Sequence, residues 1–539
     1  MTDAAPAGPA GSMRGLSGFA DLIDGLSWTS GRNARLKLIA DWLTHTPDPD
    51  RGWGLAALTG ALDLPSVKPA LVRALIETRV DPELFRLSYD YVGDLAETVS
   101  LLWEGAGGDP PGLADVVDRL RSVGRAEAPV ALAGLLDRLD APARYALLKL
   151  ATGNLRVGAG ARLSRLAFAQ AFGVSVEDVE ELWYGIRPPF AELFAWAEGR
   201  GERPDPAARP LFRPFMLAHP LEAPESLDVN AFAAEWKWDG IRAMAVRVAG
   251  AARLYSRDGN DISATFPEIA SALSADAVLD GELLVRAPDG GVGSFNALQQ
   301  RLGRKTVSPR MLAEYPVFLR CYDLLFEGTE DLRGQPLALR RARMAAVVAD
   351  LDPLRFDLSP DVPAASLSEL AALRADPPHP AIEGLMLKRR DSPYVAGRRA
   401  GLWYKWKREA LRADCVLMYA QRGHGKRSSF YSDFTFGAWS DEGVLLPVGK
   451  AYFGFTDAEL KWLDQWVRGH SINRFGPVRE VAKSLVLEVA FDAIGPSSRH
   501  KSGLAMRFPR IARIRTDKPA AEADTIRTLR ALAMEKPPE

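Results

Sequence analysis

Along the first 200 residues, apolar positions recur at helical spacing: Ala34, Leu38, Ile39 and Trp42; Val116, Val117 and Leu120; Leu163, Leu166 and Ala167. The segments APARYALLKLAT and ARLSRLAFAQAF are rich in Ala, Leu and Arg, which favour helices. A Gly-Pro stretch at 105–112 interrupts the pattern once, and no fixed-period repeat is visible. An all-α domain is therefore predicted over 1–205. Pro204, Pro206, Pro210 and Pro214 then mark a linker that cannot continue a helix. Beyond it the period shortens. IRAMAVRV, ARLYSR, AVLDGELLVR, VFLRCYDLLF, GLMLKRR and GLWYKWK read as strands, while LQQRLGR and ALRRARMAAVVAD read as helices. This predicts an α+β domain over 206–409. From 410 the strands DCVLMYA, DFTFGAWS, VLLPVGK and LVLEVAF are interrupted by one helix, LKWLDQWV. Thr456 and Glu459 form a capping box ahead of it. Several short strands and one helix predict a small closed β-barrel of the OB kind over 410–520, with a C-terminal tail at 521–539.

Composition agrees with a multi-domain globular chain. There are 539 residues, 47% hydrophobic and 25% charged, a length that suggests three domains. No apolar run reaches membrane-spanning length, and the first residues, MTDAAPAGPAGS, lack an apolar signal region. Neither a membrane nor export is expected. Cys321 and Cys415 rule out a disulfide framework and a cysteine-rich zinc site, and both are expected to be reduced core residues of a cytoplasmic protein. Six scattered histidines show no metal-ligand spacing. The net charge of −1 is unevenly spread. Residues 1–200 hold 20 basic and 26 acidic side chains, the remainder 48 and 43. Lys388–Arg412 holds nine basic and two acidic residues, and Arg499–Lys518 seven and one. Either cluster alone could be a solvated face. Together they suggest a polyanion-binding surface.

The candidate chemistry centres on Lys237-Trp-Asp-Gly-Ile-Arg242, with Glu235 two residues ahead. A lysine attacks only as the free amine, so it needs cationic neighbours, a metal or partial burial. On its own the segment could equally be a surface hairpin with a solvated lysine. Further along, Arg257 closes a strand before Asp258-Gly259, and Glu282 ends the next one. Tyr322 offers a ring to stack on a base, and Glu383 a second carboxylate just ahead of Lys388. Two carboxylates meeting over a phosphate suit Mg²⁺, which takes few protein ligands. Lys405 and Lys407 share one strand face by their period-two spacing and could clamp one phosphate. Singly, each has a plain reading: an exposed strand end, a core aromatic, a charged sheet edge.

In order, KWDGIR, LDGEL, CYDLLFEG, IEGLMLK and WYKWK resemble the successive motifs of covalent nucleotidyltransferases, specifically the ATP-dependent DNA ligases. The resemblance runs over roughly residues 15–518. It implies that Lys237 carries AMP, that Glu235 and Tyr322 hold adenine, and that Arg242, Arg257 and Arg398 contact sugar or phosphate. It further implies that Glu282 and Glu383 bind or orient Mg²⁺, with Mn²⁺ left open, and that Lys405 and Lys407 neutralise the transferring phosphate. Arg507-Phe-Pro-Arg510, followed by Arg515, Asp517 and Lys518, resembles the last ligase motif, which orients pyrophosphate or contacts DNA. YVGDLAE (91–97) and GNLRVGAG (153–160) resemble parts of a helical DNA-binding domain, with Arg156 a candidate phosphate contact. No P-loop is present, and Gly-His-Gly-Lys at 423–426 lacks its frame. The implied protein is a cytoplasmic monomer, associated with the nucleoid when on DNA. It would seal nicked duplex DNA with little sequence preference, in repair, with repair nucleases or helicases as partners. An RNA ligase or RNA-capping enzyme shares the lysine chemistry and is the first alternative. A non-catalytic DNA-binding scaffold is the second.

Overall fold

The computed structural model describes residues 15–534, except 30, 106, 154, 156, 205–208, 303, 305, 424–429 and 498. It divides into two compact units, Met1–Lys407 and Arg408–Glu539. The first unit begins with twelve α-helices, from Gly15–Trp28 to Ala191–Ala197, and no strand lies among the described residues before Met216. Short polar side chains start several of these helices. The Asp81 carboxylate accepts from the amides of Glu83 and Leu84, both at 2.9 Å, and Asp94, Asp140 and Ser175 cap their helices similarly. The helices share one apolar core containing Phe19, Ile39, Trp42, Leu147, Phe168 and Phe194.

The rest of the first unit is built on two main sheets and a parallel two-stranded pair, Met216–Leu217 with Gly397–Arg398. The larger has the order Ala251–Ser256, Ile241–Val248, Ala277–Val285, Val317–Glu327, Glu330–Asp331, and Phe356–Leu358 joins Val317–Glu327 in parallel. The smaller has the order His219–Pro220, Trp403–Lys407, Ile382–Arg389, Phe232–Trp238. The Asp239-Gly240 turn passes the chain from the smaller sheet to the larger, so the two strands it joins do not pair with each other. That disposes of the surface-hairpin reading of the lysine segment. Glycine is needed at this turn. A Cβ on Gly240 would lie 2.5 Å from the Leu283 carbonyl oxygen and 2.8 Å from Glu282 Cγ.

The second unit is mostly antiparallel sheet. Leu411–Arg422 pairs with Tyr431–Trp439, Val478–Val481 and Val486–Phe491; Leu445–Ala451, Ser471–Phe475 and Arg510–Arg515 extend the network. The helix Asp457–His470 carries the expected capping box, with Thr456 N–H donating to Glu459 at 2.7 Å and Glu459 N–H to the Thr456 hydroxyl at 3.2 Å. Past Lys518 the chain forms a helix, Ile526–Met534, whose Ile526 and Leu529 enter the core of this unit. Cys321 and Cys415 are both free and buried. Among the described residues, no helix is long and apolar enough to cross a membrane.

Candidate active site

The register of the smaller sheet assembles the site. Lys237, Gly384 and Lys407 stand side by side on three neighbouring strands, and one step along stand Glu235, Met386 and Lys405. Period-two alternation puts all of these on one face. Leu385 and Leu387 point the other way into a fully buried core with Leu370. Simple alternation would set Glu383 on that core side as well. Instead the register shifts between Ile382 and Gly384, which makes Glu383 the extra residue of a bulge. A bulge re-aims its side chain, and Gly384, at φ 145°, supplies the backbone geometry. Glu383 thereby reaches Lys237 Nζ in an ion pair, with Lys407 Nζ 3.6 Å from the same oxygen.

The larger sheet contributes Glu282, directly opposite Arg242 in register. Burial pushes the Glu282 carboxyl up to about 7 against the pull of Lys237 and Arg242, with Glu383 and Asp280 adding to the rise. Glu383 thus lies close enough to Glu282 to act on its charge, and Lys237 acts on both. Glu282 and Glu383 therefore fit a hard divalent ion completed by phosphate and water oxygens. No group of three or more His, Cys, Asp or Glu suited to a metal occurs among the described residues.

Arg242 is engaged within the protein. Its Nε and Nη2 donate to Asp280 at 3.1 and 2.7 Å, and its Nη1 donates to the Met216 carbonyl at 2.7 Å. The Tyr394 hydroxyl donates to the same fully buried Asp280 at 2.7 Å. Lys405 has no ion pair among the described residues. Burial pushes its ammonium below the usual range, and Arg398, Lys407, Lys237 and Arg257 push in the same direction. Arg257 and Arg398, both exposed, thus belong to one electropositive cluster with the three lysines. Arg257 also lines an open cleft of about 770 Å³ together with Arg162, Arg165, Tyr184 and Phe215.

Glu235 is buried, with Arg341 Nη1 at 2.5 Å and Lys388 Nζ at 3.0 Å from its Oε1. Lys388 Nζ lies 4.1 Å from the Tyr322 ring centroid and 4.6 Å from that of Trp403. One neighbour of Tyr322 is therefore a cation. In the second unit, Asp414 gathers Arg515 at 3.2 Å and Lys518 at 2.8 Å; Arg515 also pairs with Asp517 at 2.9 Å, and its hydrogen bonds hold the Asp517 carboxyl at about 2. Arg510 pairs with Asp492 at 3.0 Å, and the Arg507 guanidinium lies 5.2 Å from the Phe508 ring. Arg156 and the 424–426 part of the Gly-His-Gly-Lys segment lie outside the described residues.

Sequence reasoning missed Asp280, Tyr394, Arg341 and Asp414 as members of these networks. Asp280 stands within the LDGEL motif and Arg341 within a segment read only as a helix. Their roles come from partners 38 to 152 positions away along the chain, so no local pattern marks them.

A strand-borne lysine thus stands against a carboxylate within a cluster of cations. Residues 215–407 match the family model of the ATP dependent DNA ligase domain, and 427–518 that of the ATP dependent DNA ligase C terminal region. A probable DNA ligase of Koribacter versatilis is 33% identical, over 94% of this chain and 95% of its own. DNA ligase 1 of Korarchaeum cryptofilum is 31% identical, over 96% and 98%. The solved structure Pmar-Lig_PreS3 shares the fold at a TM-score of 0.61 and 16% identity, covering 92% of this chain and 99% of that one. The chain belongs to the ATP-dependent DNA ligase family. Membership makes it an ATP-dependent DNA-joining enzyme and removes both the RNA-directed alternative and the non-catalytic scaffold.

Proposed function

We propose that this enzyme seals nicks in duplex DNA through an adenylate carried on Lys237. The amine attacks the α-phosphate of ATP. An N–P bond forms, the bond to the bridging oxygen breaks, and pyrophosphate leaves. Glu383, in contact with Lys237 Nζ, is placed to take its proton. Lys405 and Lys407 balance charge on the transferring phosphate, and Arg257 and Arg398 add to the field. AMP then passes to the 5′-phosphate of a nick, and the 3′-hydroxyl displaces it. Glu282 and Glu383 would hold Mg²⁺, or Mn²⁺ in its place, which when bound neutralises phosphate charge.

Within this reading, residues 1–205 grip DNA, 206–409 form the adenylation domain, and 410–520 form an OB barrel. Arg507, Arg510, Arg515, Asp517 and Lys518 of that barrel orient pyrophosphate or DNA. The substrate is nicked duplex bound without sequence preference, the protein acts as a cytoplasmic monomer, and the setting is DNA repair. The observation that carries the reading is the ion pair of Lys237 and Glu383 inside a cluster of four further cations.

Mass spectrometry tests it. Wild-type protein incubated with Mg²⁺ and ATP should gain the mass of one AMP, and Lys237→Ala should not. Nicked DNA should be sealed faster than nicked RNA. Wild-type protein that never adenylates would overturn the mechanism.

A further inference from the structure

The buried Glu235 carries an arrangement that phosphate transfer does not require. Both neighbouring cations address a single oxygen, Oε1: Arg341 Nη1 at 2.5 Å and Lys388 Nζ at 3.0 Å. Oε2 has no hydrogen-bond partner among the described residues. Each cation is also held from elsewhere. Arg341 Nη2 donates to the Ser359 carbonyl at 3.0 Å and pairs with Asp361 at 3.0 Å. The Lys388 ammonium is caged by the rings of Tyr322 and Trp403.

We propose that Arg341 and Lys388 are positioning residues that make Glu235 a fixed reader of the purine 6-position. They tie down one carboxylate oxygen and leave the other to accept from the exocyclic amine of adenine. The inference rests on Lys237 being the residue adenylated by ATP, since Glu235 lies two residues before it on the same strand face. An ionised carboxylate can only accept hydrogen bonds. Facing adenine it meets an N–H donor; facing a 6-oxopurine it meets a second acceptor. A carboxylate free to swing could avoid that clash by turning to the ring N1–H of the 6-oxopurine. Anchoring closes this escape and turns a permissive acceptor into a selective one. Sites built to pair a polar substrate group discriminate strongly because the mispaired group stays buried and unsatisfied.

The test compares lysyl-nucleotide formation from ATP and from inosine triphosphate at subsaturating concentration, on full-length protein. Each ratio is taken within one preparation, so a loss of folded enzyme lowers both rates and leaves the ratio unchanged. Wild type should favour ATP by about 100-fold or more. Arg341→Met should bring that ratio down at least tenfold, chiefly by raising the KM for ATP. Lys388→Met, which keeps the packing between the two rings, should act in the same direction and serves if the first variant does not fold. A ratio within threefold of wild type in both variants, with ATP still forming the adduct, would overturn the anchoring role alone. No adduct from wild type with ATP would instead overturn the adenylation reading and this inference with it.

Discussion

At the scale of single residues, the candidate site crowds like charges and pairs few of them. Lys405 is the clearest case, a half-buried ammonium surrounded by four cations and paired with none among the described residues. Such a group gains more from an arriving anion than a paired cation would, which is how preorganised electrostatic stabilisation operates. Lys405→Met should therefore slow lysyl-AMP formation about 100-fold or more, the range for removing one preorganised donor, as read in a single-turnover adenylation assay. Glu282 is the acidic counterpart. Its carboxyl sits at about 7 in the fold and near the ordinary 4.3 when unfolded. The folded state therefore binds the proton more tightly, and stability of the metal-free protein is highest below the unfolded value. It declines as pH rises from about 4.5 to about 7, by on the order of 3 kcal/mol. Glu282→Gln should flatten that decline in denaturant titrations across this window, and an unchanged slope would contradict the burial argument.

At the scale of elements, the local patterns of the chain were readable and the long-range joints were not. The Thr456/Glu459 box correctly starts its helix, because it depends on neighbours within one element. The bulge that re-aims Glu383 depends on pairing with Lys237, 146 positions away, and no local spacing encodes it. The Asp239-Gly240 turn is similar. Its sequence is that of a hairpin, yet it carries the chain between two sheets and brings Lys237 of one beside Glu282 of the other. That placement needs the bare backbone of Gly240 against Glu282 and Leu283. Gly240→Ala should destabilise the protein by about 1–3 kcal/mol, the cost of overpacking a close contact. Because the clash falls on Glu282 itself, adenylation should fall by more than the loss of folded protein explains. Equal losses in both measurements would show that the turn matters only for stability.

At the scale of the whole molecule, net charge says little about where DNA is held, and ion pairing says more. The first 200 residues are acidic on balance, and several of their carboxylates are already held in ion pairs, as in Glu198 with Arg51, Asp94 with Lys149 and Asp137 with Arg79. The same accounting reorders the basic stretch Arg499–Lys518. Arg510, Arg515 and Lys518 are already paired with Asp492, Asp414 and Asp517. Arg499 and Lys501 are exposed and have no ion pair among the described residues. A cation that must first leave a carboxylate gains less from a phosphate than one facing only water, so these two should carry more of the phosphate contact than their paired neighbours. Each phosphate neutralised contributes about −0.9 to the slope of log affinity against log salt concentration. Arg499→Ala with Lys501→Ala should thus make that slope shallower by about 2 on nicked duplex. The loss should be alike on unrelated sequences, because backbone contacts carry no base information. Lysyl-AMP formation, which needs no DNA, should be unchanged. A slope that stays at the wild-type value would mean that this surface meets solvent and that the grip on DNA lies elsewhere in the chain.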